Sequence, residues 1–108
     1  ERYQLVNRPP DRANPDWAAK IHFTVAPCYY HNYMLGELFA SQLNRHVVSE
    51  VLELESAQDV SYVGREKLGR FLEENVFQPG DRYPWNRMIE RATGEPLTAK
   101  YFVEQFVN

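Results

Sequence analysis

YHNYMLGELFASQLNRHVVSEVLEL, residues 30–54, decides the fold. Tyr30, Met34, Leu35, Leu38, Phe39, Leu43, Val47, Val51 and Leu54 recur at steps of three and four, the spacing that puts side chains on one face of an α-helix. The pattern predicts a helix of about 25 residues starting near Pro27, a first-turn residue, and ending near Ser56. Leu38, Val48 and Leu52 lean away from the stripe of Leu35, Phe39 and Leu43. A helix apolar over so wide an arc expects neighbours on several sides, and the segment alone is expected to self-associate.

Downstream, Asp59 or Ser61 is suited to cap a second helix carrying Val63, Leu68, Phe71, Leu72 and Val76, which the turn Gln78-Pro79-Gly80-Asp81 stops. Pro84 opens a short third helix through Met88, Ile89 and Ala92, with Gly94 just past its end. Thr98 caps a fourth helix carrying Tyr101, Phe102 and Phe106. Upstream, residues 7–19 carry Asn7, Pro9-Pro10, Asn14-Pro15 and two Asp, the chemistry of turns and extended loop. In residues 20–26, Ile21, Phe23 and Val25 alternate with Lys20, His22 and Thr24, a period of two that reads as an extended segment. The expected class is all-α: about four helices over residues 27–108, preceded by loop and extended chain over 1–26. No repeat or low-complexity tract interrupts it.

Composition bounds the function. The 108 residues suit one domain, and 44% hydrophobic with 25% charged residues is ordinary for a globular chain. A formal net charge of −3 leaves no basic stripe for nucleic acid. The apolar stretch near Met34–Phe39 is broken by Gly36 and Glu37, so no membrane span or signal peptide is read. A single cysteine, Cys28, excludes an internal disulfide. The opening Tyr3-Gln4-Leu5-Val6 reads like the end of an element, so a segment of a longer or processed polypeptide is expected.

The groups suited to chemistry cluster early. Lys20, His22, Tyr30 and Tyr33 are a cation, an imidazole and two phenols, donors of the kind that grip a carboxylate or a developing oxyanion. Tyr30 and Tyr33 stand one helical turn apart. None of His22, His31 and His46 is followed by Glu, so no His-Glu-x-x-His zinc motif is present. His46 and Glu50 make two ligands without a third, and the ordinary reading of that pair is a solvated helix face. Cys28 with His31 has sequence proximity but no catalytic geometry, and a lone cysteine is usually a small buried hydrophobe.

Taken in order along the chain, these motifs resemble the C-terminal portion of the angiotensin-converting-enzyme family of zinc peptidases, bacterial type. Arg2-Tyr3-Gln4, Pro9-Pro10 and Arg12 resemble that family's Lys-Tyr-Gln, Pro-Pro, Arg stretch. Asp16, Ala19-Lys20 and His22 resemble its Asp-Pro-Gly-Ala-Lys-Phe-His. Tyr30-His31-Asn32-Tyr33 with Gln42-Leu43 resembles its Tyr-Ile-Arg-Tyr followed by Gln-Phe. Pro84-Trp85, Thr93-Gly94, Pro96 and Phe102 continue the likeness. One extra residue separates His22 from the tyrosine pair; without that gap Tyr29 and Asn32 would take the two positions, but the gapped register aligns Gln42-Leu43 and keeps both phenols.

The resemblance implies a subdomain of a larger, helical, two-lobed metallopeptidase that removes dipeptides from peptide C-termini, a peptidyl-dipeptidase. Lys20 and Tyr30 would hold the substrate's free carboxylate, His22 its backbone, and Tyr33 the oxyanion. Zinc would be held by the rest of the parent polypeptide, with no metal ligand in this chain, which alone would be inactive. Asn32 replaces an arginine that binds chloride in that family, so chloride activation is expected to be weak or absent there. The resemblance also leaves room for an exported parent. The competing expectation is a non-catalytic helical protein-interaction module.

Overall fold

A computed structural model describes residues 7, 10–11, 13–26, 28–55 and 60–107. Their regular structure is helical, with no strand among them: α1 Ile21–Thr24, α2 His31–His46, α3 Glu66–Leu72, α4 Trp85–Thr93 and α5 Lys100–Phe106. The chain divides into two units, Glu1–Asn32 and Tyr33–Asn108, with the boundary in the first turn of α2.

In the first unit, a 3-10 turn over Asp16–Ala19 leads into α1. The alternation over residues 20–26 therefore does not become extended chain. A strand needs a neighbour to take its backbone groups. Here the Lys20 carbonyl takes them locally, accepting the N–H of Phe23 at 2.9 Å and of Thr24 at 3.3 Å, while the Val25 N–H donates to Ile21 O at 2.9 Å. The expected opening at Pro27 lies outside the described residues, as do Asp59 and Ser56; α2 begins at His31.

In the second unit, α2 and α3 each end in a widened turn, Val47–Val51 and Glu73–Phe77. Their hydrogen bonds span five residues: Leu52 N–H to Val47 O and Gln78 N–H to Glu73 O, both 2.8 Å. The same side-chain hydrogen bond recurs inside each. Ser49 Oγ donates to Arg45 O at 2.9 Å, and Asn75 Nδ2 donates to Phe71 O at 3.0 Å. Both carbonyls belong to the residue four earlier, the one an α-turn would give to a backbone N–H, so the side chain competes with the ladder where it widens.

Helix α3 packs on the widened turn after α2, and α4 packs on the one after α3. Val47, Val51 and Leu68 are buried between them, with Leu43, Leu52, Phe71 and Leu72 packed around. Val48, Ile89 and Ala92 are buried as well. The first helical run stops earlier than its apolar pattern suggests. Glu53 takes φ 56°, and the Leu54 N–H donates to Val48 O at 2.9 Å, a six-residue closure of the helix end. Helix α4 ends as the sequence predicts, on Gly94 at φ 83° with its N–H on Glu90 O at 2.8 Å. That left-handed conformation is one a side chain disfavours. No described helix is long and apolar enough to cross a membrane.

Candidate functional site

Three of the four candidate residues lie in the first unit. Lys20 precedes α1 and is exposed. His22, one residue into α1, is half-buried because its ring meets Tyr30 edge-on, with centroids 5.6 Å apart and planes at 74°. On the same ring of Tyr30, Phe23 stacks at 4.9 Å and 21°. The helical turn allows this arrangement, since it sets the adjacent His22 and Phe23 about 100° apart, so that both rings can meet one phenol. In an extended segment the two would point to opposite faces. Tyr30 is thereby fixed as a ring while remaining 44% exposed, enough for a ligand to reach.

Tyr33 belongs to the second unit, in the first turn of α2, and is 55% exposed. The structure thus brings His22 and Tyr30 together and sets Tyr33 at the start of the long helix. Tyr29, the alternative to Tyr30, is 48% exposed. Cys28 is exposed at φ 57°, which removes the buried-hydrophobe reading.

The polar centre of the second unit was not singled out by its spacing. Gln42, 1% exposed, donates from Nε2 to Thr93 Oγ1 at 2.8 Å and to the carbonyls of Glu95 at 3.2 Å and Pro96 at 3.3 Å. Its Oε1 accepts the Thr98 N–H at 3.0 Å. The Thr93 hydroxyl in turn donates to Ile89 O at 2.9 Å. One buried amide therefore ties α2 to α4 and to the segment entering α5. The available signal was a glutamine four residues after Leu38, on an otherwise apolar stripe.

Above it lies a cleft of about 240 Å³ lined by Gln42, Arg45, His46, Glu50, Thr93, Glu95 and Tyr101. The Tyr101 hydroxyl donates to Glu95. That bond, with desolvation and the nearby carboxylates, raises the phenol pKa above its ordinary value, and Arg45 pulls partly the other way. His46 also packs its ring against Phe71 at 5.4 Å. Among the described residues no three His, Cys, Asp or Glu side chains group to hold a metal ion, so they do not fit a metal centre.

Compared with known proteins, residues 21–108 match the model of the carboxypeptidase Taq (M32) metallopeptidases. Thermostable carboxypeptidase 1 of Pyrococcus furiosus is 28% identical over 75 residues, 69% of this chain but 15% of that relative's length. No solved structure matches. The likeness to angiotensin-converting enzymes is thereby corrected: it holds for the metallopeptidase class and for a C-terminal exopeptidase name among relatives, but the matching family is a different one. On a match covering most of its length, the chain belongs to the carboxypeptidase Taq (M32) family of metallopeptidases.

Proposed function

We propose that the chain is the C-terminal helical part of a zinc carboxypeptidase, contributing substrate-binding and transition-state groups while the rest of the parent polypeptide holds the metal. The family match over residues 21–108 supports the metallopeptidase part of this reading, and the residue roles rest on the resemblance to angiotensin-converting enzymes. In it, Lys20 and Tyr30 receive the substrate's terminal carboxylate, His22 binds the peptide backbone, and Tyr33 donates to the oxyanion. An ammonium–carboxylate contact is charge-assisted and favours a free C-terminus. A phenol aimed at a tetrahedral intermediate bonds more strongly as charge develops there.

The partners in this reading are a peptide with a free C-terminal carboxylate and the rest of the parent. Exposed apolar side chains such as Val25, Met34, Val63 and Phe77 are the surface offered to the latter, and through them the isolated chain self-associates. Alone, the chain has no activity. Release of a dipeptide, as the angiotensin-converting-enzyme likeness implies, is the narrower form of the proposal; the relative's name, carboxypeptidase, fits release of a single residue as well. Mass spectrometry of the products from the zinc-loaded parent tests both. Trimming from the C-terminus supports the reading, and the mass lost per step gives the unit. No trimming would leave the non-catalytic helical module.

A further inference from the structure

We propose that Phe23 is a specificity-determining residue: its ring is the surface on which the last side chain of the peptide substrate packs, so that peptides ending in an aromatic or large aliphatic residue are preferred. This inference rests on the reading of Lys20 as the partner of the substrate's terminal carboxylate.

Lys20, Phe23 and Tyr30 all lie in the first unit. Phe23 stands three residues after Lys20, and its N–H donates to the Lys20 carbonyl at 2.9 Å. Side chains with that spacing at the first turn of a helix lie close enough to reach across it. The exposed Lys20 and the ring of Phe23 therefore leave the chain side by side. A carboxylate drawn to the ammonium brings with it the carbon to which it is bonded, and from that carbon the last side chain of the peptide springs. The apolar surface beside Lys20 is the one this side chain meets, whether one residue or two are then released.

The ring of Phe23 is suited to the contact. It stacks on Tyr30 with centroids 4.9 Å apart and planes at 21°, so Tyr30 covers one of its faces. Phe23 is nevertheless 52% exposed, which leaves the opposite face uncovered among the described residues. His22 meets Tyr30 from another direction at 5.6 Å and braces the stack. A ring oriented before the substrate arrives loses little freedom on binding it, which favours affinity. A flat apolar face gains most from another aromatic ring, at centroid separations of about 4.5–7 Å, and then from a large aliphatic group. To an alanine or a charged side chain it offers little.

The test is kcat/KM in the zinc-loaded full-length protein for two peptides identical except for a last residue of Phe or Ala. Both carry the same carboxylate, so any disturbance of Lys20, of Tyr30 or of folding acts on both and cancels in their ratio. The parent should prefer the Phe-ended peptide by about tenfold or more. Phe23→Ala should shrink that preference by about fivefold or more, mainly through a raised KM for the Phe-ended peptide, because the contact exists before and during the reaction. Phe23→Leu keeps an apolar side chain against Tyr30 and serves where Phe23→Ala fails to fold; it should shrink the preference by about twofold to threefold. A parent that cleaves both peptides equally well overturns the proposal. So does a ratio untouched by both substitutions, which would mean that Phe23 only packs, against Tyr30 or against the rest of the parent. Lys20→Ala separates the two readings. If it leaves the preference for a free acid over a C-terminal amide intact, the carboxylate reading fails and this inference with it. If it abolishes that preference while Phe23→Ala leaves the ratio alone, only the role of Phe23 fails.

Discussion

The ring of Tyr30 is met edge-on by His22 at 5.6 Å and stacked by Phe23 at 4.9 Å, so packing sets the ring, and the proposed substrate contact falls to its hydroxyl. The two roles separate by substitution. Tyr30→Phe keeps the ring and removes the hydroxyl, and in the full-length enzyme KM should rise about tenfold or more, the worth of a hydrogen bond to a charged group. Tyr30→Ala should raise KM and also lower the melting temperature, since it removes the ring contacts as well; equal KM values for Tyr30→Phe and the parent would remove Tyr30 from the substrate site.

Tyr33→Phe should lower kcat by about a hundredfold with little change in KM, because an oxyanion donor acts mainly in the transition state. The competing register makes the opposite forecast. If Tyr29→Phe and Asn32→Ala reproduce the losses while Tyr33→Phe is silent, the tyrosine positions are shifted by one residue.

Much of the second unit was legible from spacing. Residues 31–51 are helical as the apolar steps predict, and Pro84 and Gly94 bracket α4. What escaped were local hydrogen-bond choices. Lys20–Thr24 coil, with the Lys20 carbonyl accepting the N–H groups of Phe23 and Thr24 and no strand among the described residues. Helix α3 starts at Glu66, later than a cap at Ser61 implies, because Ser61 Oγ accepts the Val63 N–H at 3.4 Å, Ser61 O accepts Arg65 Nε at 2.8 Å, and Gly64 turns the chain at φ 75°. In the candidate site, residue types pointed to Lys20, His22, Tyr30 and Tyr33. Gln42 stayed hidden because its partners lie 51 to 56 residues away, a distance no local pattern reports.

Glu53 holds a left-handed conformation at φ 56° that costs a side chain about 1–2 kcal/mol relative to glycine. Its carboxylate is paired with Lys67 at 2.8 Å, which holds its pKa below the ordinary value, but both side chains are largely exposed and such pairs contribute little. Glu53→Gly should therefore stabilise the protein by about 0.5–1 kcal/mol, read as a raised denaturant midpoint. A lowered midpoint would mean that the ion pair outweighs the backbone term.

The Tyr101–Glu95 hydrogen bond gives a pH signature. Its phenol pKa is raised above 10.0 in the folded protein, so the proton is bound more tightly there than in the unfolded chain. The stability this contributes is fully present below pH 10.0 and is lost as pH rises through the raised value. The melting-temperature difference between the parent and Tyr101→Phe should be constant through neutral pH and shrink in the alkaline range. A difference that grows with alkalinity would contradict the assignment.

Whether this chain helps a metallopeptidase recognise a free C-terminus is read by one comparison: cleavage of a peptide and of its C-terminally amidated twin by the zinc-loaded full-length protein, with and without Lys20→Ala. The expected result is a strong preference for the free acid in the parent, and in Lys20→Ala a KM raised about tenfold or more for the acid, with the preference over the amide largely gone. Equal cleavage of acid and amide by the parent, or a preference untouched by Lys20→Ala, would contradict it.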